Sequence, residues 1–394
     1  FMCHETQIPK PGDFFLNSIG EDRVIVTRDK EGGINVLLNT CRHRGNAVCR
    51  ADGGNAASFM CTYHGWTYDL KGDLIGQPGS KELYGEDFKR EEWGLITAAQ
   101  VDSYKGFVFA NLDPAAPALH EFLGEVGRVG LDFLAMRGNM AVVDGVQKFT
   151  IDCNWKLAMD NVVDFYHPPL THKSAMMADS RPRPAGGAAA TYYQTMVVMG
   201  EYGHVIGGPM TPWSNFGTSP IDDAWLERPE TKEALGPAVL KSRGHPNVFP
   251  NIWVSTAGGI GQIDIRLPRG PNKTEFWKFT LLDQDLPEDA YKAQLFRAQH
   301  VHGPAGMFEQ EDGENWDQST RGTRGVVGRR YPLHYGMNVG RGEVINDDQG
   351  PARIETQINE HAQIWMYRAW AEWMAAGSWA DLKENHSPAP SGLM

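Results

Sequence analysis

Cys41-x-His43 and Cys61-x-x-His64 form two short clusters separated by 17 residues, each offering one thiolate and one imidazole. Thiolates favour soft metals, and imidazole ligates while staying neutral. Scattered structural residues explain this poorly, because both pairs fall in loops at the ends of expected strands. A structural zinc site more often uses a Cys-x₂₋₄-Cys pair with a separate His pair. The alternating Cys–His, Cys–His order suits instead a [2Fe–2S] cluster in which two His replace two Cys on one of the irons. Each loop then gives its Cys to one iron and its His to the other.

A second constellation lies downstream, in Asp160-Asn161-Val162-Val163-Asp164-Phe165-Tyr166-His167 and Pro168-Pro169-Leu170-Thr171-His172. A helix is expected over Trp155–Tyr166, and on a helix positions 160, 164 and 167 share a face. The Pro pair should stop it and let the chain double back, so that His172 meets His167 from another angle. Two imidazoles alone suit zinc or iron. With one carboxylate they make the 2-His-1-carboxylate facial triad of non-haem Fe(II) oxygenases, which keeps coordination positions open. The carboxylate should come from the distant run Phe308-Glu309-Gln310-Glu311-Asp312-Gly313-Glu314-Asn315-Trp316. At helical spacing Phe308, Asp312 and Asn315/Trp316 line one face, which leaves Glu309, Glu311 and Glu314 as a solvated one. Spacing favours Asp312 but leaves its acidic neighbours open.

The elements that must position these groups fall into two parts. Arg23–Thr27 and Ile34–Asn39 flank the turn Glu31-Gly32-Gly33, and Ser58–Cys61 and Trp66–Asp69 form a second pair. Phe107–Asn111 reads as a last strand, and Asp113-Pro114-Ala115-Ala116-Pro117 is the best linker. The expected division is therefore 1–115 and 116–394. Beyond the linker, helices are expected over Leu119–Met136, 288–300, 305–318 and 355–376. Strands are expected at Tyr192–Met199, Ile252–Thr256, Gln262–Leu267 and Glu275–Leu282, the last two joined by Arg269-Gly270-Pro271-Asn272. The fold class is α+β: an all-β domain, then a domain with an antiparallel sheet covered by helices. The tail from His386 should be loose.

Composition limits the alternatives. With 394 residues and 41% hydrophobic content the chain can bury a large core. Acids outnumber bases 49 to 37, for a net charge of −12, which argues against a nucleic-acid partner. No apolar run approaches the roughly 18–20 residues of a membrane span. No signal peptide is visible in a sequence that opens on Phe1 rather than Met. Five sparse Cys do not suggest a disulfide framework and fit a reducing cytoplasm.

The loops CRHRG and CTYHGW resemble Rieske centres, of the type without the extra Cys of respiratory Rieske proteins. A Rieske ferredoxin would end near residue 112. Four stretches, CRHRGNAV, CTYHGWTYDLKGDL, NWK…DNVVDFYHPPLTH and GPAGMFEQEDGENW, resemble the large (α) subunit of Rieske non-haem iron aromatic-ring-hydroxylating dioxygenases, most closely the naphthalene and biphenyl branch. That resemblance implies a [2Fe–2S] cluster on Cys41, His43, Cys61 and His64, and mononuclear Fe(II) on His167, His172 and Asp312. Asp164 would be the acid that links iron His to Rieske His across neighbouring subunits. The activity implied is dihydroxylation of an aromatic ring with O₂ to a cis-dihydrodiol. Its electrons would come from NAD(P)H through a reductase and a ferredoxin. The assembly implied is α₃β₃ with a small β subunit, or α₃ alone. An aromatic monooxygenase or O-demethylase is the nearest alternative. An electron-transfer protein without oxygenase activity and a zinc-stabilised binding module are others.

Further expectations concern single residues. His302, Asn161, Phe165 and Phe308 are candidates for the substrate pocket. Relatives often carry Asn or Gln where Asp160 stands, so a negative charge near the iron is expected there. His4, His120, His204, His245, His334, His361 and His386 should be surface or hydrogen-bonded structural groups. Trp365, Tyr367, Trp370 and Trp373 suit helix packing or a subunit contact. Arg42, Arg44 and Arg50 are either solvated or placed to meet an acidic ferredoxin.

Overall fold

The structure, a computed structural model, describes residues 1–178, 194–211, 224–256, 260–386 and 391–394. Its contacts divide the chain into two units, Phe1–Leu119 and His120–Met394. The first two residues of the expected Tyr192–Met199 strand lie outside the described residues.

In the first unit, short apolar runs rich in β-branched and aromatic residues build strands and tight turns join them. Asp13–Ile19, Asp22–Arg28 and Ile34–Leu38 form an antiparallel meander with Gly53–Asn55 at its edge. Phe59–Met60, Thr67–Tyr68 and Leu74–Gly76 make a second small sheet, and Phe107–Asn111 is the centre of a third. Leu16, Ile25, Leu37, Trp66 and Tyr68 share one core with Cys41 and Cys61. The two cysteines are therefore anchored by burial rather than by long elements.

The second unit is built on one long antiparallel sheet. Its centre runs Thr274–Asp283, Gln262–Pro268, Ile252–Ser255, His245–Val248, Val205–Pro209, Gln194–Met199 and Gly350–Gln357, each hydrogen-bonded to the next. The helices include Leu119–Ala135, Trp155–Asn161, Glu288–Val301, Met307–Thr323 and His361–Ala375. A core of Met159, Val197, Val205, Phe249, Trp253, Ile354, Trp365 and Met366 joins two of these helices to the sheet. Among the described residues no helix is long and apolar enough to cross a membrane.

Two helical expectations are corrected. Residues 350–357 are a strand, not the start of a 355–376 helix, because ladders on both sides claim them: Ile354 faces Val197 on one neighbour and Val344 on the other. The helix begins at His361, whose backbone N–H is taken by the Asn359 side chain. The helix over 155–166 stops at Asn161. Asp164 binds the backbone N–H of Tyr166 at 2.7 Å, a local bond that competes with the helical one. Pro168 and Pro169 then open a new turn of helix, Pro168–Thr171, where their missing N–H groups cost nothing.

Candidate functional site: two metal centres

The two Cys/His loops are built alike. The Cys41 N–H donates to the Asn46 carbonyl and the Gly45 N–H to the Cys41 carbonyl; Cys61 repeats this with Trp66 and Gly65. Gly45 and Gly65 carry φ of +75° and +73°, a region that favours glycine. The same loop thus forms twice, although His follows Cys by two residues in one and three in the other. His43 and His64 have ring centroids 4.4 Å apart, and His43 stacks on Trp66. Cys41 and Cys61 are buried, free and in hydrogen-bonding contact with each other. Burial acts to raise Cys61, but N–H donors from Tyr63, Asn46 and His64 and the Cys41 thiol outweigh it, so its pKa lies below the ordinary thiol value. His43 Nδ1 is buried with no hydrogen-bond partner, as a nitrogen reserved for a metal should be. Two thiols and two imidazoles on matched loops fit a Rieske cluster.

The second centre draws on three separate segments. His167 precedes Pro168–Thr171, His172 follows it, and Asp312 comes from Met307–Thr323. One ligand atom from each lies within 4.8 Å of the other two, a group able to hold a metal ion. His167 Nε2 and His172 Nε2 are both 3.4 Å from Asp312 Oδ1, an oxygen that is buried without a hydrogen-bond partner. Burial pushes Asp312 up to about 7, and Glu309 adds to the rise despite the opposing His167. A buried carboxylate short of positive charge, facing two imidazoles, fits a cation.

The other nitrogen of each imidazole is held by an acid. His167 Nδ1 is 3.2 Å from Asp164 and His172 Nδ1 is 3.0 Å from Glu311. Carboxylate oxygens accept, so neutral imidazoles of the kind that ligate a metal would carry their hydrogen on Nδ1 and turn the Nε2 lone pair toward Asp312. Asn161 places its amide about 3.4 Å from His167 and binds Asp312. Phe308 stacks on the His172 ring at 4.3 Å. His302 is buried edge-on to Trp253, with Phe308 beyond it, and Phe165 stacks on His245.

Several expectations are corrected here. Glu309 and Glu311 do not form a solvated face with Glu314. The buried face of Met307–Thr323 is Glu309, Asp312, Gly313, Trp316 and Thr320, while Asn315 is exposed. Glu309 meets Lys278 from the sheet, and Glu311 meets His172. Asp160 does not share a helical face with Asp164 and His167, since the helix ends between them. Its carboxylate accepts hydrogen bonds from Tyr335 and Tyr367, both 2.9 Å, and burial pushes it up to about 7. Arg42 is held by the Gly94 carbonyl and lies over Trp93, whereas Arg44 and Arg50 are exposed. His204 is hydrogen-bonded through both ring nitrogens and His361 through Nε2 alone, while His245 and His361 each keep a buried Nδ1 without a hydrogen-bond partner. Trp365 and Trp373 pack within the unit, and Tyr367 serves Asp160.

Two family descriptions match the chain: "Rieske [2Fe-2S] domain" over residues 1–102 and "Ring hydroxylating alpha subunit (catalytic domain)" over 125–376. Biphenyl 2,3-dioxygenase subunit alpha of Rhodococcus jostii is 37% identical over 97% of this chain and 85% of its own length. Benzene 1,2-dioxygenase subunit alpha of Pseudomonas putida is 36% identical over 97% and 87%. Among solved structures, naphthalene 1,2-dioxygenase from Rhodococcus sp. bound to indole aligns with a TM-score of 0.82 at 33% identity, covering 96% of this chain and 89% of that one. The chain belongs to the family of Rieske non-haem iron ring-hydroxylating dioxygenase α subunits. Its cofactors are accordingly a Rieske [2Fe–2S] cluster and a mononuclear non-haem iron, and its activity is that of an oxidoreductase acting on aromatic rings.

Proposed function

We propose that this chain is a terminal oxygenase component that adds both atoms of O₂ to an aromatic ring, giving a cis-dihydrodiol. The observation that carries the reading is the convergence of His167, His172 and Asp312 in a chain that also presents paired Cys–His loops. We assign the iron to these three residues and the cluster to Cys41, His43, Cys61 and His64. When bound, the iron supplies O₂ activation and the cluster supplies electrons one at a time.

The protein's own part is orientation and exclusion of water. Asp164 fixes the tautomer and plane of His167 through Nδ1, and its other oxygen ties down the Tyr166 backbone. Across a subunit boundary the same carboxylate would accept from a Rieske imidazole, coupling the two centres. Asn161, Phe165, His302 and Phe308 are assigned to the wall around the reacting ring, where stacked aromatic faces keep water out. The substrate class is an aromatic ring, as the names of the biphenyl and benzene relatives suggest.

Relatives named as subunit alpha support a small β subunit as partner, in an α₃β₃ assembly, with α₃ alone as the alternative without it. Electrons would arrive from NAD(P)H through a reductase and a ferredoxin. Five free cysteines favour the cytoplasm. Product analysis of the reconstituted system on a panel of aromatics under ¹⁸O₂ tests the reading. The expected result is a cis-diol carrying two labelled oxygens from one O₂. A singly labelled phenol or a demethylated product would replace it with monooxygenation.

A further inference from the structure

The residue next to Asp312 in sequence has a role that its position on the helix conceals. On Met307–Thr323, neighbouring residues point about 100° apart. Asp312 therefore faces the interior, and Glu311 emerges at the flank, beside the turn that follows His172. There its two oxygens are divided. Oε2 lies 3.0 Å from His172 Nδ1. Oε1 accepts from the Ser174 hydroxyl and, at 3.2 Å, from the Ala175 backbone N–H. Asp164 has the same division on the other imidazole, with one oxygen on His167 Nδ1 and one on the Tyr166 backbone N–H. Each imidazole thus has its own acid, anchored by a backbone N–H within three residues of the His it orients.

We propose that Glu311 is the positioning residue for His172: it holds the Nδ1–H tautomer and ring plane that aim Nε2 at the mononuclear metal beside Asp312. The inference rests on the assignment of that metal to His167, His172 and Asp312. Two segments distant in sequence are fixed together by it, because the helix that supplies Asp312 also grips the turn that supplies His172. Phe308, one turn earlier on the same helix, stacks on the His172 ring and fixes its remaining rotation. Glu311 also lines an open surface groove with Thr171, Ser174 and Glu314. Water can therefore enter when the carboxylate is removed and will replace it only in part.

The amide variant Glu311→Gln separates this role from a merely structural one. Its side chain could keep the oxygen on Ser174 and Ala175 and preserve the tie between the segments. It would then present NH₂ to His172 Nδ1, which must give up its hydrogen, and the Nε2–H tautomer cannot ligate. Turning the amide over restores the His172 bond but sets two N–H donors, the introduced NH₂ and the Ala175 backbone, against each other.

The test uses the full chain with its cluster loaded and the mononuclear iron removed. Anaerobic Fe(II) titration against a competing chelator gives the dissociation constant, and the Rieske absorbance reports the other centre. Glu311→Ala is expected to weaken Fe(II) binding by about ten- to a hundredfold and Glu311→Gln by about tenfold, with the Rieske absorbance unchanged. Glu314→Gln, which removes an exposed acid of the same helix that pairs with Gln318 and not with His172, should bind like the unaltered chain. Retention of the original affinity by Glu311→Gln, or by Glu311→Ala, would overturn the proposal. His172→Ala is the control for the underlying assignment. If it still binds Fe(II), the ligand set is wrong; if it does not, while the Glu311 variants bind normally, only the role of Glu311 falls.

Discussion

Lys278 Nζ stands 3.0 Å from the Glu309 carboxylate, and both side chains are buried beneath the helix that carries Asp312. The same ammonium binds Asp264 on the adjacent strand. Burial acts against the Glu309 carboxylate, but Lys278 and His302 overcome it and hold its pKa down to about 2. Glu309 is thus an ionised anchor that fixes Met307–Thr323 to the sheet, one turn before Asp312.

Lys278→Met should strand two buried carboxylates. Removing one partner from a buried ion pair costs ~3–5 kcal/mol, far more than the pair contributes over an apolar equivalent. The expected outcome is a marked fall in the thermal unfolding midpoint of the second unit, with the Rieske absorbance intact before melting. An unchanged midpoint would contradict the buried network.

Asp160 predicts the direction of a pH effect. Its carboxyl is pushed from the usual 3.8 up to about 7 by burial, against the pull of the Tyr335 and Tyr367 hydroxyls. A folded pKa above the unfolded one means that the folded state binds the proton more tightly. This contribution is full below about pH 4 and is lost as pH rises through about 7. Asp160→Asn keeps an oxygen for the two tyrosines and removes the charge. It should be more stable than the unaltered chain at pH 8, and its stability should fall less between pH 5 and 8, as read by denaturant unfolding. A parallel pH profile in the two proteins would show that Asp160 is not the titrating group.

The parts of this site that sequence makes legible are local. Cys41 with His43 and Cys61 with His64 are spaced within one loop each, and the hydrogen bonds that shape those loops span five residues or fewer. His167 and His172 are likewise close in sequence, and Asp312 is the acid that helical spacing favours. Glu309 and Glu311 were beyond that reach because their surroundings come from elsewhere: Lys278 from a strand and His172 from a distant turn decide that two acids of an acidic run are buried or engaged. Asp160 needed Tyr335 and Tyr367 to be placed. The strand at 350–357 needed neighbours from 194–199 and 343–347, since a short stretch of mixed propensity takes the structure its partners offer.

Asp164→Asn isolates the charge on the acid beside His167. Asn can accept the Nδ1–H through its oxygen only by setting its NH₂ against the Tyr166 backbone N–H, so the iron should bind more weakly yet fill the site when Fe(II) is in excess, while the negative charge that raises the basicity of His167 is gone. Turnover is expected to fall about ten- to a hundredfold with three irons per chain retained and the Rieske spectrum unaltered. His167→Ala differs in kind: iron should drop from three per chain to the two of the cluster, and turnover should vanish. Metal analysis beside product formation checks both, and normal turnover in Asp164→Asn would remove the coupling role.

Tyr68 offers a reading of the cluster itself. Its hydroxyl oxygen accepts from the Arg42 backbone N–H at 3.1 Å, which leaves the phenolic hydrogen free for Cys41 Sγ at 3.4 Å. A hydrogen bond donated to a ligating sulfur is stronger in the reduced, more negative cluster, so it raises the reduction potential. Tyr68→Phe keeps the buried ring and deletes this donor, and a differential of ~1 kcal/mol corresponds to about 40 mV for one electron. The potential of the variant should therefore fall by about that amount, measured by redox titration of the Rieske absorbance, with slower electron delivery to the second centre as its consequence. A potential equal to that of the unaltered chain would mean that the Tyr68 hydrogen points elsewhere.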